Sequence, residues 1–173
     1  MKENEIPQSP DIERTVLGEM IFENGTIPLV INAGEDLFYK THHQLIFKAI
    51  DTLYTENGNI DQLVLLEQLR KDGNLDSVGG EATIAAICSE TVSAAFIEDY
   101  LKILKEKAVL RKLLTLGKTV TNECYRNDAD SVEIINIIEV QLFGIKEGMA
   151  DTKSSIADQV KKWIGIITNR ENL

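Results

Sequence analysis

The chain has 173 residues, of which 43% are hydrophobic and 27% charged, enough apolar material for the core of one domain with or without an appendage. Its formal net charge of −10 argues against duplex DNA as a direct ligand, because nonspecific DNA binding rests on Lys and Arg neutralising phosphates. No apolar run approaches the roughly 20 residues of a membrane span, and the polar start Met1-Lys2-Glu3-Asn4-Glu5 does not resemble a signal peptide.

Residues 1–8 read as a flexible arm. Ser9 and Pro10 then supply an N-cap and a first-turn proline, with Asp11 and Glu13 placing acid in the first turn. Ile12, Val16, Leu17, Met20 and Ile21 recur at helical spacing until Asn24-Gly25. A short helix follows from Ile27 to Asn32, ended by Gly34. The spacing of Leu45, Ile46, Ala49, Ile50, Leu53 and Tyr54 predicts a third helix over about 41–56. Asp61 caps a fourth, which carries Val64, Leu65, Leu66 and Leu69 and closes at Gly73. Gly79-Gly80 opens a fifth with Ile84, Ile87 and Cys88 inward. No sustained period-2 run appears, so the fold class is all-α.

From about 94 to 125 the chain reads as helix almost without a break. A polar turn at 127–130 follows, where Asp130 and Glu133 resemble a capping box, and another helix runs to Gly148. Two helices joined by so short a turn form an antiparallel hairpin. The expected order is an arm over 1–8, a compact helical head over 9–104, a long hairpin over 105–148, and a connector with a C-terminal helix over 149–173. That last helix, about 155–167, places Ile156, Val160, Trp163, Ile164 and Ile167 on one side.

The hairpin helices are more apolar than their position explains. Leu110, Leu113, Leu114 and Leu116, and then Ile134, Ile135, Ile137 and Ile138, cover more than the stripe of about 100° that a surface helix buries. The surplus needs either the globular head or another chain, and another chain is the expected occupant.

Chemistry is sparse. Gly117-Lys118-Thr119 looks like the tail of a phosphate-binding loop, but Lys112 stands where the leading glycine belongs and the tripeptide falls mid-helix. His42 and His43, the only histidines, are adjacent and therefore about 100° apart on a helix, the wrong spacing for one metal. One reads as a packed or capping histidine and the other as exposed. Cys88 and Cys124 form no disulfide framework, which suits a reduced, cytoplasmic protein. Lys102, Lys105, Lys107, Arg111, Lys112 and Lys118 make a locally basic helix. It reads as a solvated face paired with Glu98, Asp99 and Glu106, or as a docking surface for an acidic partner. No catalytic, cofactor-binding or metal-binding residue is expected.

The order of these features resembles the N-terminal domain of DnaB-type replicative helicases. The carriers are Pro10-Asp11-Ile12-Glu13-Arg14-Thr15-Val16-Leu17-Gly18, then Phe38-Tyr39 followed by His43 and Ile46-Phe47, then Asp61, Leu65 and Leu69. Gly73-Asn74-Leu75, Val78-Gly79-Gly80, the stretch from Ala94 to Leu113, and Glu139-Val140-Gln141-Leu142-Phe143 continue it over about 9–147. The resemblance implies a helical head and hairpin that pair between neighbours into a collar and dock primase or a helicase loader. DNA is then met only indirectly, and no membrane is involved. It places interface residues at Asp11, Lys105, Arg111, Leu113, Leu114, Val120, Ile134 and Ile138. Two departures stand out: no ATPase sequence is present, and Trp163-Ile164-Gly165 does not look like the usual linker helix. The alternative is a stand-alone nucleic-acid-binding or regulatory helical protein using the basic helix 102–118.

Overall fold

Two side-chain clasps, far apart in sequence, align the first and third long helices of the head. The computed structural model describes residues 5–90 and 94–149, so the helix expected over 155–167 lies outside the described residues. Those residues form α1 (Pro10–Phe22), α2 (Ile27–Ala33), α3 (Thr41–Asn57), α4 (Gln62–Lys71), α5 (Gly80–Glu90), α6 (Ile97–Cys124) and α7 (Ser131–Met149). Short 3-10 turns occupy Asn24–Thr26, Glu35–Leu37 and Ala94–Phe96. Among the described residues there is no strand, and the fold is all-α as expected. The chain divides into two compact units, residues 1–114 and 115–173.

In the first unit α1 packs on α5 and α3, α3 packs on α4, and α4 packs on α5. Val16, Leu17 and Met20 of α1 meet Ile46 and Ile50 of α3, Leu65 and Leu69 of α4, and Ile84 and Ile87 of α5 in one apolar core. Each fully buried side chain of this size contributes about 1.5–3 kcal/mol, which is why the core holds without a disulfide.

The clasps set the direction of α1 and α3. Near the start of both helices, Glu13 of α1 meets His43 of α3. Beyond their far ends, the Asn24 side chain accepts from the Ile60 amide at 2.5 Å and donates to the Ile60 carbonyl at 3.0 Å. The two helices therefore run side by side in the same sense. Gly58 ends α3 in the left-handed region at φ 73°, and the turn after it sends α4 back along α3. Gly73 closes α4 at φ 70°, and the Asn74 amide reaches back to the Leu69 carbonyl at 2.9 Å. The expected helix stop is there, made by a residue without a Cβ penalty.

One local reading needs correction. Ser9 stands at the N-cap of α1, but its side chain makes no capping bond; its carbonyl accepts from the Glu13 amide instead. Asp11 and Glu13 do place acid in the first turn, and Glu13 is fully buried there.

The second unit contains the last turns of α6 and all of α7. Arg126 is held between Glu123 and Asp128 at 2.6 and 2.9 Å, and Asp130 Oδ1 accepts from the Val132 and Glu133 amides at 2.8 and 3.3 Å. The predicted cap at Asp130 thus forms. Leu116 on α6 and Ile134 on α7 are the buried apolar residues of this unit among those described.

Candidate protein interface

The two helices expected at an interface, each taken within its own unit, carry apolar residues on two sides. On α6 within the first unit, Ile97, Leu101, Leu104 and Ala108 are buried, and at about 100° per residue they share one side. Ile103, Leu110 and Leu114 fall on the opposite side and are exposed. Leu113 lies beside them, also in water.

On α7 the division is sharper. Ile134 is buried, and Ile138 and Ile145, on the same side, are half-buried. Val132, Ile135, Val140 and Phe143 lie around the other side, with Val140 72% and Phe143 64% exposed. Two such residues in water set this face apart, because solvent-facing helix positions are ordinarily polar.

Of the residues expected at the interface, Leu113 and Leu114 are exposed, Val120 and Ile138 are half-buried, and Ile134 lies inside its own unit. Asp11 is exposed at the start of α1. Val132, Ile135, Val140 and Phe143 were not singled out from the sequence. The signal was available: projecting α7 at 100° per residue separates them from Ile134 and Ile138. The projection alone does not say which stripe is inward.

The basic helix has much of its charge spent within the first unit. Arg111 is half-buried and donates to the Pro7 carbonyl at 2.9 Å, the Leu37 carbonyl at 3.4 Å and the Asp36 carbonyl. Its guanidinium also lies 5.6 Å from the Tyr39 ring centroid. Burial pushes this guanidinium below its usual pKa, against the opposing charges of Glu13 and Asp36. Lys112 pairs with Asp36 at 2.6 Å. Lys105 is half-buried. Arg111 and Lys112 brace the arm and the Glu35–Leu37 turn, a different job from the pairing with Glu98, Asp99 and Glu106 expected from spacing.

Among the described residues, the titratable groups with resolved contacts serve the fold. His43 and Glu13 come closest to a catalytic pair, yet their side chains are 4% and 0% exposed. Burial alone would raise the Glu13 carboxyl; hydrogen bonds from His43, Tyr39 and Lys40, with the His43 charge, outweigh it and hold it below its usual value. The pair is structural cement out of reach of a substrate. Gly117-Lys118-Thr119 lies within α6, where a helix rather than a strand-to-helix loop excludes a phosphate cradle. Among the described residues no group of three His, Cys, Asp or Glu is placed to hold a metal, and no helix is long and apolar enough to cross a membrane.

With this geometry in place, the likenesses to known proteins are informative. The family profile of the DnaB-like helicase N-terminal domain matches residues 5–106. The replicative DNA helicase DnaB of Haemophilus influenzae is 33% identical over 146 residues, covering 82% of this chain and 31% of that protein. The DnaB of Rhodothermus marinus is 30% identical over 142 residues, covering 82% of this chain and 15% of that protein. This chain thus spans a third or less of the length of these relatives. The crystal structure of the N-terminal domain of DnaB helicase from Mycobacterium tuberculosis superposes with a TM-score of 0.72 at 27% identity, over 81% of this chain and 99% of that one. Helix order, core and sequence agree, and the chain belongs to the DnaB-like helicase N-terminal domain family.

Proposed function

We propose that this chain is the non-catalytic assembly and protein-interaction domain of a DnaB-like replication helicase, self-associating through its hairpin helices and docking primase or a helicase loader. The observation that carries the reading is the outward apolar face of α7, formed by Val132, Ile135, Val140 and Phe143. Burying those side chains against a second copy removes apolar area from water at about 25 cal/mol per Å², and helices pair by such stripes. A collar of paired domains works by position: it raises the local concentration of a partner at the fork without making or breaking a bond.

Light scattering after size exclusion, over at least a tenfold concentration range, tests it. The monomer is 19.3 kDa. The expected result is a dimer or larger even-numbered species that Val140→Asp with Phe143→Asp converts to monomer while the helical content is kept. A monomer at every concentration, or an oligomer indifferent to the double substitution, would overturn self-association through this face. Primase and loader docking is then read by titrating each purified partner against the assembled chain and against the Leu114→Asp variant.

A further inference from the structure

A second apolar patch lies on the head, on a surface the hairpin reading does not use. The Asn24–Ile60 clasp fixes it. Phe22, the last residue of α1, is two residues before Asn24, and Leu63 and Val64 open α4 just after Ile60. Spans of two to four residues reach at most about 7–14 Å, so the backbone of all three lies within that distance of the clasp. Phe22 is 69% and Leu63 71% exposed, and Val64 is partly so. Neither Phe22 nor Leu63 gains anything for the head's own core by facing water, and clustered exposed apolar side chains of this size mark binding surfaces.

The charge around the patch has one sign. No Lys or Arg occurs in residues 15–39 or 49–69, the two segments that the clasp joins. Glu23 follows Phe22 directly, Glu56 lies near the end of α3, and Asp61 follows Ile60; all three are exposed. Arg70, the nearest cation along α4, is taken up by Glu67 and Glu81.

We infer that this end of the head docks a basic amphipathic helix of a partner protein, whose apolar stripe covers Phe22 and Leu63 and whose Lys or Arg side chains meet Glu23, Glu56 and Asp61. Phosphates of nucleic acid and anionic lipid headgroups are repelled by the same carboxylates. A second copy of this chain is acidic overall, at −10, and offers cations mainly along 102–118, where Arg111 and Lys112 are already engaged at Asp36. The described residues offer no strand edge for backbone pairing, so recognition runs through side chains, the mode in which a helix lays its apolar face on a complementary surface.

The test uses the full 173-residue chain with labelled Ile, Leu and Val methyls. Two synthetic helical peptides are titrated into it: one with Leu at helical spacing and Lys elsewhere, the other with Glu replacing Lys. The expected result is that the Lys peptide shifts the methyl signals of Ile60, Leu63 and Val64. Phe22→Ser with Leu63→Ser should weaken binding about tenfold, and Glu23→Lys several-fold at low salt, with thermal unfolding unchanged because these residues are exposed. Equal binding of the Glu peptide, unchanged binding by the double variant, or shifts confined to α7 would overturn the inference. None of these outcomes bears on self-association, which the α7 variants report separately.

Discussion

The Glu13 carboxylate and the His43 ring meet at 2.8 Å across 30 residues of chain, with Glu13 Oε2 facing His43 Nδ1. An ionised carboxylate only accepts, so the proton of this bond sits on Nδ1. The same carboxylate accepts from the Tyr39 amide at 3.0 Å and the Lys40 amide at 3.2 Å, the last two residues before α3. One side chain of α1 therefore fixes both the ring and the backbone at the start of α3.

Glu13→Ala leaves three donors without their acceptor. At roughly 1–3 kcal/mol for each buried unpaired group, the head should lose at least about 3 kcal/mol, read as a lower urea midpoint with helical content intact before the transition. The pH dependence follows from the direction of the shift. A carboxyl held below its usual 4.5 in the folded state contributes stability that is complete above 4.5 and lost as pH falls through the lower, folded value. Glu13→Gln should flatten that acid limb.

Glu19 acts in the opposite sense. It is buried on α1, and neither carboxylate oxygen has a hydrogen-bond partner among the described residues. Burial raises its pKa above 4.5. The folded state then holds its proton more tightly than the unfolded chain, so stability is greatest below 4.5 and declines as pH rises through the raised folded value. Glu19→Met, similar in length and apolar, should stabilise the head at pH 7 by about 1–2 kcal/mol and remove that decline. Urea unfolding at pH 5 and pH 7.5 of both proteins checks it; a Met variant less stable at pH 7.5 would contradict it.

Arg111 separates a bracing role from a docking role. Arg111→Ala should cost about 1–3 kcal/mol, because the Pro7, Asp36 and Leu37 carbonyls lose a charged donor, and Arg111→Lys should recover only part of it. Protease cleavage in the arm before Pro10 should quicken in both variants. If the solution mass falls while stability does not, Arg111 belongs to an interface after all.

Gly117 lies within α6, and a Cβ added there would meet nothing within 4 Å. A mid-helix glycine costs about 1 kcal/mol relative to alanine. Gly117→Ala should therefore raise the stability of the isolated chain by up to about that amount, measured by thermal unfolding. A simultaneous drop in oligomer mass would locate a close helix approach at this position.

Helical order and helix ends were readable because local chemistry writes them. Asp61 caps α4 by accepting from the Val64 amide at 2.8 Å, and Gly73 closes it; both depend on neighbours a few residues away. Of the two histidines, one of which is expected to be packed or capping and the other exposed, His43 is the packed one, while His42 is half-buried rather than exposed. The carboxylate partner of His43 was not found, because Glu13 has the spacing of an ordinary first-turn acid and only the tertiary fold brings it to α3. The cations at 111 and 112 were misassigned to their own helix for the same reason: Asp36 and the carbonyls around it are about 75 residues upstream. The apolar excess of the hairpin was plain from composition. Which side of α7 faces out was not, since a helix greasy all round leaves the choice to its neighbours.

The parallel course of α1 and α3 has a kinetic consequence. Helices joined by short loops pair antiparallel and fold through local contacts, whereas these two meet only after the chain has travelled back to the start of α1 by way of α2 and the Glu35–Leu37 turn. Closing Glu13 on His43 and Asn24 on Ile60 orders loops of 30 and 36 residues before either contact is rewarded. Pairings this distant in sequence slow folding relative to those of helices joined by short loops. A nascent chain cannot close Glu13 on His43 until His43 has been made, nor Asn24 on Ile60 until Ile60 has, so the second clasp forms after the first becomes possible.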